Sequence, residues 1–147
     1  MQCHISPAGT LGTYKYVVVL SEYNGALLLS RHRDRRTWET QGGHIEPGET
    51  PEDAAKRELY EESGAVDFDI RVGFDYCAAD DRGHANGMVF LASIKALAPL
   101  PESEMAEVQT FDALPPDAQL TYPGITPVLY RYAKEHFKLF PIKEEPQ

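Results

Sequence analysis

The sequence predicts an α/β domain in which a mixed sheet is covered by helices on its faces. Three observations carry that expectation. Short β-branched and aromatic runs alternate with glycine-bearing turns, as strands do. Two segments have helical spacing or helix-end signals, one in the middle of the chain and one near its end. No repeat, low-complexity tract or composition shift divides the 147 residues, so they are read as one domain.

The elements follow in order. Residues 1–12, small and polar with Gly9 and Gly12, read as a loose N-terminal arm ahead of a domain spanning 13–141. Tyr14 to Leu20, with three consecutive valines, reads as a strand. Asn24-Gly25 is a strong hairpin turn, and Ala26 to Ser30 is the return strand. Thr50-Pro51 opens a helix: threonine is a good N-cap, and proline is favoured at the first helical position. Asp53 stands where a capping box has Glu or Gln. The helix runs to Ser63 and stops at Gly64. Ala65 to Ala79 and Met88 to Ala98 read as longer strands around a polar turn, and Val108 to Phe111 as a shorter one between proline-rich linkers. A last helix, Thr126 to Phe140, carries apolar residues at helical spacing, and 142–147 is a tail.

Bulk composition narrows the function. Hydrophobic residues make up 42% and charged residues 25%, values of a globular chain. The net charge of −9 argues against field-driven binding of a nucleic acid polymer or an anionic membrane. An anionic substrate would need a cation or an arginine cluster to reverse the sign locally. Two cysteines, Cys3 and Cys77, are too few for a disulfide scaffold, so a reducing, cytoplasmic setting is expected.

The central helix raises a problem that points to chemistry. Positions three and four apart share a helix face, so Glu58, Glu61 and Glu62 converge and repel. A charge run of this kind is usually a solvated face. A hard divalent cation reverses the penalty, because Mg²⁺ takes carboxylate and phosphate oxygens. Gly42-Gly43 allows close backbone approach to a ligand. Glu49 and Arg57 are placed to pair and to lock the preceding loop against the helix.

Gly43, Glu49, Arg57-Glu58-Leu59, Glu61-Glu62 and Gly64-Ala65 fit the pattern G-x5-E-x7-R-E-U-x-E-E-x-G-U, with U aliphatic. This stretch resembles the Nudix box, and the layout from about residue 14 to 140 resembles the domain that carries it. The resemblance implies an α/β/α sandwich with a mixed sheet between helices, hydrolysing a nucleoside diphosphate linked to another group. It implies Mg²⁺ or Mn²⁺ bound by Glu58, Glu61, Glu62 and the carbonyl of Gly42. Gly43, Glu49 and Arg57 would support them. One box glutamate, or Glu104 or Glu107 from a later loop, would take the proton of the attacking water, with Glu107 preferred. In the basic stretch Arg31 to Arg36, Arg31, Arg33 and Arg35 are candidates for substrate phosphates.

The flanking sequence is similar to bacterial family members that cleanse oxidised guanine nucleotides, which makes 8-oxo-dGTP the leading substrate and pyrophosphate a product. Other nucleoside triphosphates, a nucleotide sugar, ADP-ribose or a dinucleotide stay open. So do a nucleotide-sensing domain without turnover and, with Cys77, an isoprenoid diphosphate isomerase. A homodimer is compatible with the family.

Overall fold

The computed structural model describes residues 1–137. Seven strands form one sheet: β1 (Gln2–Pro7), β2 (Tyr16–Tyr23), β3 (Ala26–His32), β4 (Gln41–His44), β5 (Ala65–Asp80), β6 (Gly83–Leu97) and β7 (Met105–Phe111). The helices are α1 (Pro51–Ser63) and α2 (Thr126–Phe137), with a 3₁₀ turn at Asp117–Gln119. The end of the expected last helix, with Phe140, and the expected tail lie outside the described residues.

The strand order is β1-β5-β6-β2-β3-β7, with β4 attached to β2. Among the named strands of the described residues, β2 and β6 run parallel and the other pairings are antiparallel. The mixed sheet therefore stands as the sequence predicted.

Alternation along the strands sorts the core into two layers. Leu27, Leu29, Val89 and Leu91 pack with Leu129 and Ala133 of α2. Their neighbours Leu28, Phe90 and Ala92 point the other way, onto Ala54, Ala55 and Leu59 of α1. One helix thus covers each face, the α/β/α arrangement.

Three local readings differ. The expected arm is an edge strand: Gln2 to Pro7 pair with Phe74 to Ala79. The loop after it is held by Asp75, fully buried, which accepts from the N–H of Gly9 and Leu11 and from the Tyr14 hydroxyl at 2.6 Å. β6 begins five residues early, because His84 to Gly87 continue the hairpin with Tyr76 to Ala79. The glycine pair is itself a strand, Gly42 and Gly43 pairing with Val18 and Val17.

That last pairing shapes the site. β2 bonds β4 along Tyr16–Val19 and β3 along Ser21–Tyr23, so its two halves have different neighbours on one side. Gln41 fills the branch point. Its side chain accepts from Ser21 at 2.6 Å and donates to Ser30 Oγ and the Leu28 carbonyl. No helix among the described residues is long and apolar enough to cross a membrane.

Candidate active site

α1 is built to hold its position. Thr50 Oγ1 accepts from the Asp53 N–H at 3.1 Å while Asp53 accepts from the Thr50 N–H, a complete capping box with Asp in the Glu position. Gly64 closes the other end in the left-handed region, at φ 80°, with its N–H on the Tyr60 carbonyl. Ala54, Ala55 and Leu59 are fully buried and set the rotation of the helix. Glu58 and Glu62, one turn apart, border that buried stripe. Glu61 lies further out, its side chain 48% exposed against 14% for Glu58.

Glu62 meets the glycine strand directly. Its Oε1 accepts from the Gly42 N–H at 2.7 Å, and its own carbonyl accepts from the Ser30 hydroxyl. Burial pushes its carboxyl up to about 8; the Gly42 hydrogen bond opposes this, and the charges of Glu58, Glu39 and Glu104 add to it. Burial also raises Glu58, against the pull of Arg57.

Arg57 is the positive centre of the wall. It holds Glu49 with two hydrogen bonds, 2.7 Å and 2.9 Å, in the fork geometry suited to a carboxylate. It also reaches Glu58 at 2.9 Å, Glu61 at 3.3 Å and the His44 carbonyl at 3.2 Å. The two bonds from Arg57, with the Glu46 N–H, hold the Glu49 carboxyl down to about 2. Glu49 and Arg57 therefore pair as the spacing predicted. The expected three-carboxylate convergence is only partly formed, since Arg57 draws Glu58 and Glu61 toward itself. Among the described residues no three acidic, histidine or cysteine side chains stand at metal-holding distances. The donor set still fits a hard cation: Glu58 and Glu62 are crowded, partly desolvated oxygen ligands that gain by sharing one.

The two glycines make different demands. A Cβ on Gly43 would come within 2.6 Å of Glu58 Oε1, the end of a flexible side chain. A Cβ on Gly42, at φ 153°, would collide with the Val17 backbone carbonyl. Gly43→Ala is therefore expected to keep the melting temperature within a few degrees yet lose at least tenfold in activity. Gly42→Ala should lower the melting temperature markedly. Thermal denaturation beside an activity assay checks both, and equal melting temperatures for the two variants would contradict this account.

Gly42, Gly43 and Glu62 form one wall of a cleft of about 680 Å³. His32, Arg35, Glu39 and Glu104 line it elsewhere, with Tyr16, His44, Tyr76 and Tyr122 as its aromatic surface. The Tyr16 and His44 rings pack at 4.6 Å.

The arginine candidates separate. Arg35 lines the cleft, whereas Arg33 is exposed and contributes only its N–H, to the Glu104 carbonyl. Arg31 donates from Nε to Glu107 at 2.8 Å, its cross-strand partner in β7, and from Nη1 to the Arg35 carbonyl at 3.0 Å. The preference for Glu107 over Glu104 as the later-loop carboxylate does not match their placement. Glu107 faces out and is occupied by Arg31, while Glu104 lines the cleft with its carboxylate 3.6 Å from His32. Sequence reasoning missed Glu39, 7% exposed and tied to Arg35 at 3.1 Å. Its one signal was its place in TWETQGG, three residues before the glycine pair.

An α/β/α sandwich whose capped helix presents carboxylates to a glycine strand defines the Nudix class of domain. The model of the NUDIX domain matches residues 14–129, and the chain belongs to that family. Over 55 residues it is 40% identical to the RNA pyrophosphohydrolase of Yersinia enterocolitica serotype O:8 / biotype 1B. That match takes in 37% of this chain and 31% of the relative's length. Among solved structures, a pyrophosphohydrolase from Bacillus subtilis superposes with a TM-score of 0.77 at 24% identity, covering 90% of both chains. A NUDIX hydrolase from Nitrosomonas europaea superposes with a TM-score of 0.66 at 26% identity, covering 84% of this chain and 73% of that one.

Proposed function

We propose that the protein is a Mg²⁺- or Mn²⁺-dependent pyrophosphohydrolase. It cleaves a phosphoanhydride of a nucleoside triphosphate to give the monophosphate and pyrophosphate, with 8-oxo-dGTP as the leading substrate. The observation that carries this reading is Glu62, closed onto Gly42 at the side of a nucleotide-sized cleft, with Glu58 packed against the neighbouring Gly43.

Glu58 and Glu62, with Glu61 turned in from Arg57 and the Gly42 carbonyl, would hold the ion. When bound, such an ion neutralises the phosphates and acidifies a water. The chain's own groups supply the rest. Water attacks phosphorus as the bridging P–O bond breaks, and the water's proton passes to a carboxylate of the same wall. Glu62 borders the cleft with its Oε1 already aligned by the Gly42 N–H, which places it for that transfer. Arg35 places positive charge on the cleft surface. Arg57 anchors the loop through Glu49, which preserves the alignment of α1 and β4.

A second reading, the same cleavage at the 5′-triphosphate end of an RNA, is favoured by the name of the Yersinia relative. The net charge of −9 weighs against a polymer. A panel of 8-oxo-dGTP, dGTP, GTP, ATP, ADP-ribose, a UDP-sugar and a short 5′-triphosphorylated RNA, assayed with Mg²⁺ for pyrophosphate and monophosphate, decides between them. Pyrophosphate release from free triphosphates is the expected result. Dominant release of AMP from ADP-ribose would overturn it, and turnover of the RNA alone would establish the second reading.

A further inference from the structure

Arg35 and Glu39 form a donor–acceptor pair on the cleft surface, and the proposed hydrolysis uses only the charge of the arginine. Arg35 Nη1 donates to Glu39 Oε2 at 3.1 Å, which leaves the remaining guanidinium N–H groups and Glu39 Oε1 without a bond to each other. Glu39 is 7% exposed, and its backbone is fixed by two hydrogen bonds to Ser30, at 2.8 Å and 2.9 Å. Tyr122, 47% exposed, lines the same cleft as the pair. A buried carboxylate that opens onto a cavity accepts hydrogen bonds and donates none. A ligand there must bring N–H groups to Glu39 and an acceptor to Arg35.

We infer that Arg35 and Glu39 determine base specificity by reading the Watson–Crick edge of a guanine, with Tyr122 as the surface against its ring. Guanine presents O6 as an acceptor beside N1–H and N2–H donors, the complement of an arginine next to a glutamate. Adenine presents the reverse, an N6 donor beside the N1 acceptor, which would set a lone pair against the Glu39 carboxylate. 8-Oxoguanine keeps the same three groups on this edge, so the inference rests on the proposed nucleotide hydrolysis and narrows it to guanine nucleotides. Leaving a buried charged acceptor unpaired is costly, and this is how polar sites reject a mismatched ligand.

The test compares kcat/KM for GTP and ATP in the wild type, Glu39→Gln and Arg35→Gln, with GMP and AMP binding followed by calorimetry. The wild type should favour guanine roughly tenfold or more. Glu39→Gln, whose amide is suited to adenine, should bring the GTP/ATP ratio toward one by raising the ATP arm. Loss of folding alone would lower both arms together, and Arg35→Gln, at an exposed position, gives an independent reading of the same ratio. A wild type without base preference, or variants that keep the wild-type ratio, would overturn the inference. Absence of turnover for every nucleotide would defeat the hydrolase reading instead, and GMP binding tighter than AMP would still uphold the guanine pocket.

Discussion

Glu62→Gln is expected to lower kcat/KM by about two to four orders of magnitude while leaving the protein at least as stable at pH 8. On the proposed mechanism the variant would lose both a carboxylate oxygen for the ion and a group placed to take a proton. The stability half follows from linkage. The Glu62 carboxyl stands at about 8 in the fold, against an ordinary value of 4.5. A carboxyl raised in this way stabilises the fold while protonated. Its contribution is complete below about pH 4.5 and is lost as pH rises toward 8, because the unfolded chain ionises it first. Glutamine carries no charge, so the variant escapes that loss. Melting temperature followed from pH 5 to 9 in the presence of a chelator should fall more steeply for the wild type. Parallel curves, or wild-type turnover in the variant, would contradict the role assigned to Glu62. The Glu49–Arg57 pair does not blur the comparison, since Glu49, held at about 2, gives up its contribution only in acid.

Arg57→Ala should have the second largest effect. Arg57 neutralises Glu58 and Glu61 and ties Glu49 and the His44 carbonyl to α1. Its removal leaves three carboxylates facing one another and frees the loop between β4 and the helix. The charge-assisted bonds lost set the cost at about 2 kcal/mol, a drop of several degrees in melting temperature. Saturating Mg²⁺ should restore part of that drop, because the ion supplies the missing positive charge. Arg57→Lys should recover little, as an ammonium cannot reproduce the two-point contact with Glu49. Activity is expected to fall at least tenfold in both. A melting temperature for Arg57→Ala equal to wild type, with and without Mg²⁺, would show that the cluster is not held as described.

The α1 segment was readable because everything that defines it is local. Thr50, Pro51, Asp53 and Gly64 mark the helix ends by their own backbone and side-chain chemistry. Spacing along 3.6 residues per turn places Glu58 beside Glu62, while Glu49, in the loop just before the N-cap, meets Arg57 through its side chain. The Asn24-Gly25 hairpin and the long β5–β6 pair were readable for the same reason, since turn residues and alternation act within a few positions.

What the chain by itself determined is therefore the capped carboxylate helix, the strands with their alternating faces and the spacing that joins Glu49 to Arg57. Tertiary structure alone decided that residues 2–7 complete the sheet edge, that the glycine pair is a strand and that Glu104, not Glu107, lines the cleft. It also placed Glu39 against Arg35, inside that cleft. Each of these depends on register between segments distant in sequence, and a shift of one residue turns a strand side chain from one face to the other. Burial, which raises the Glu62 carboxyl, likewise comes from neighbours that no local pattern names.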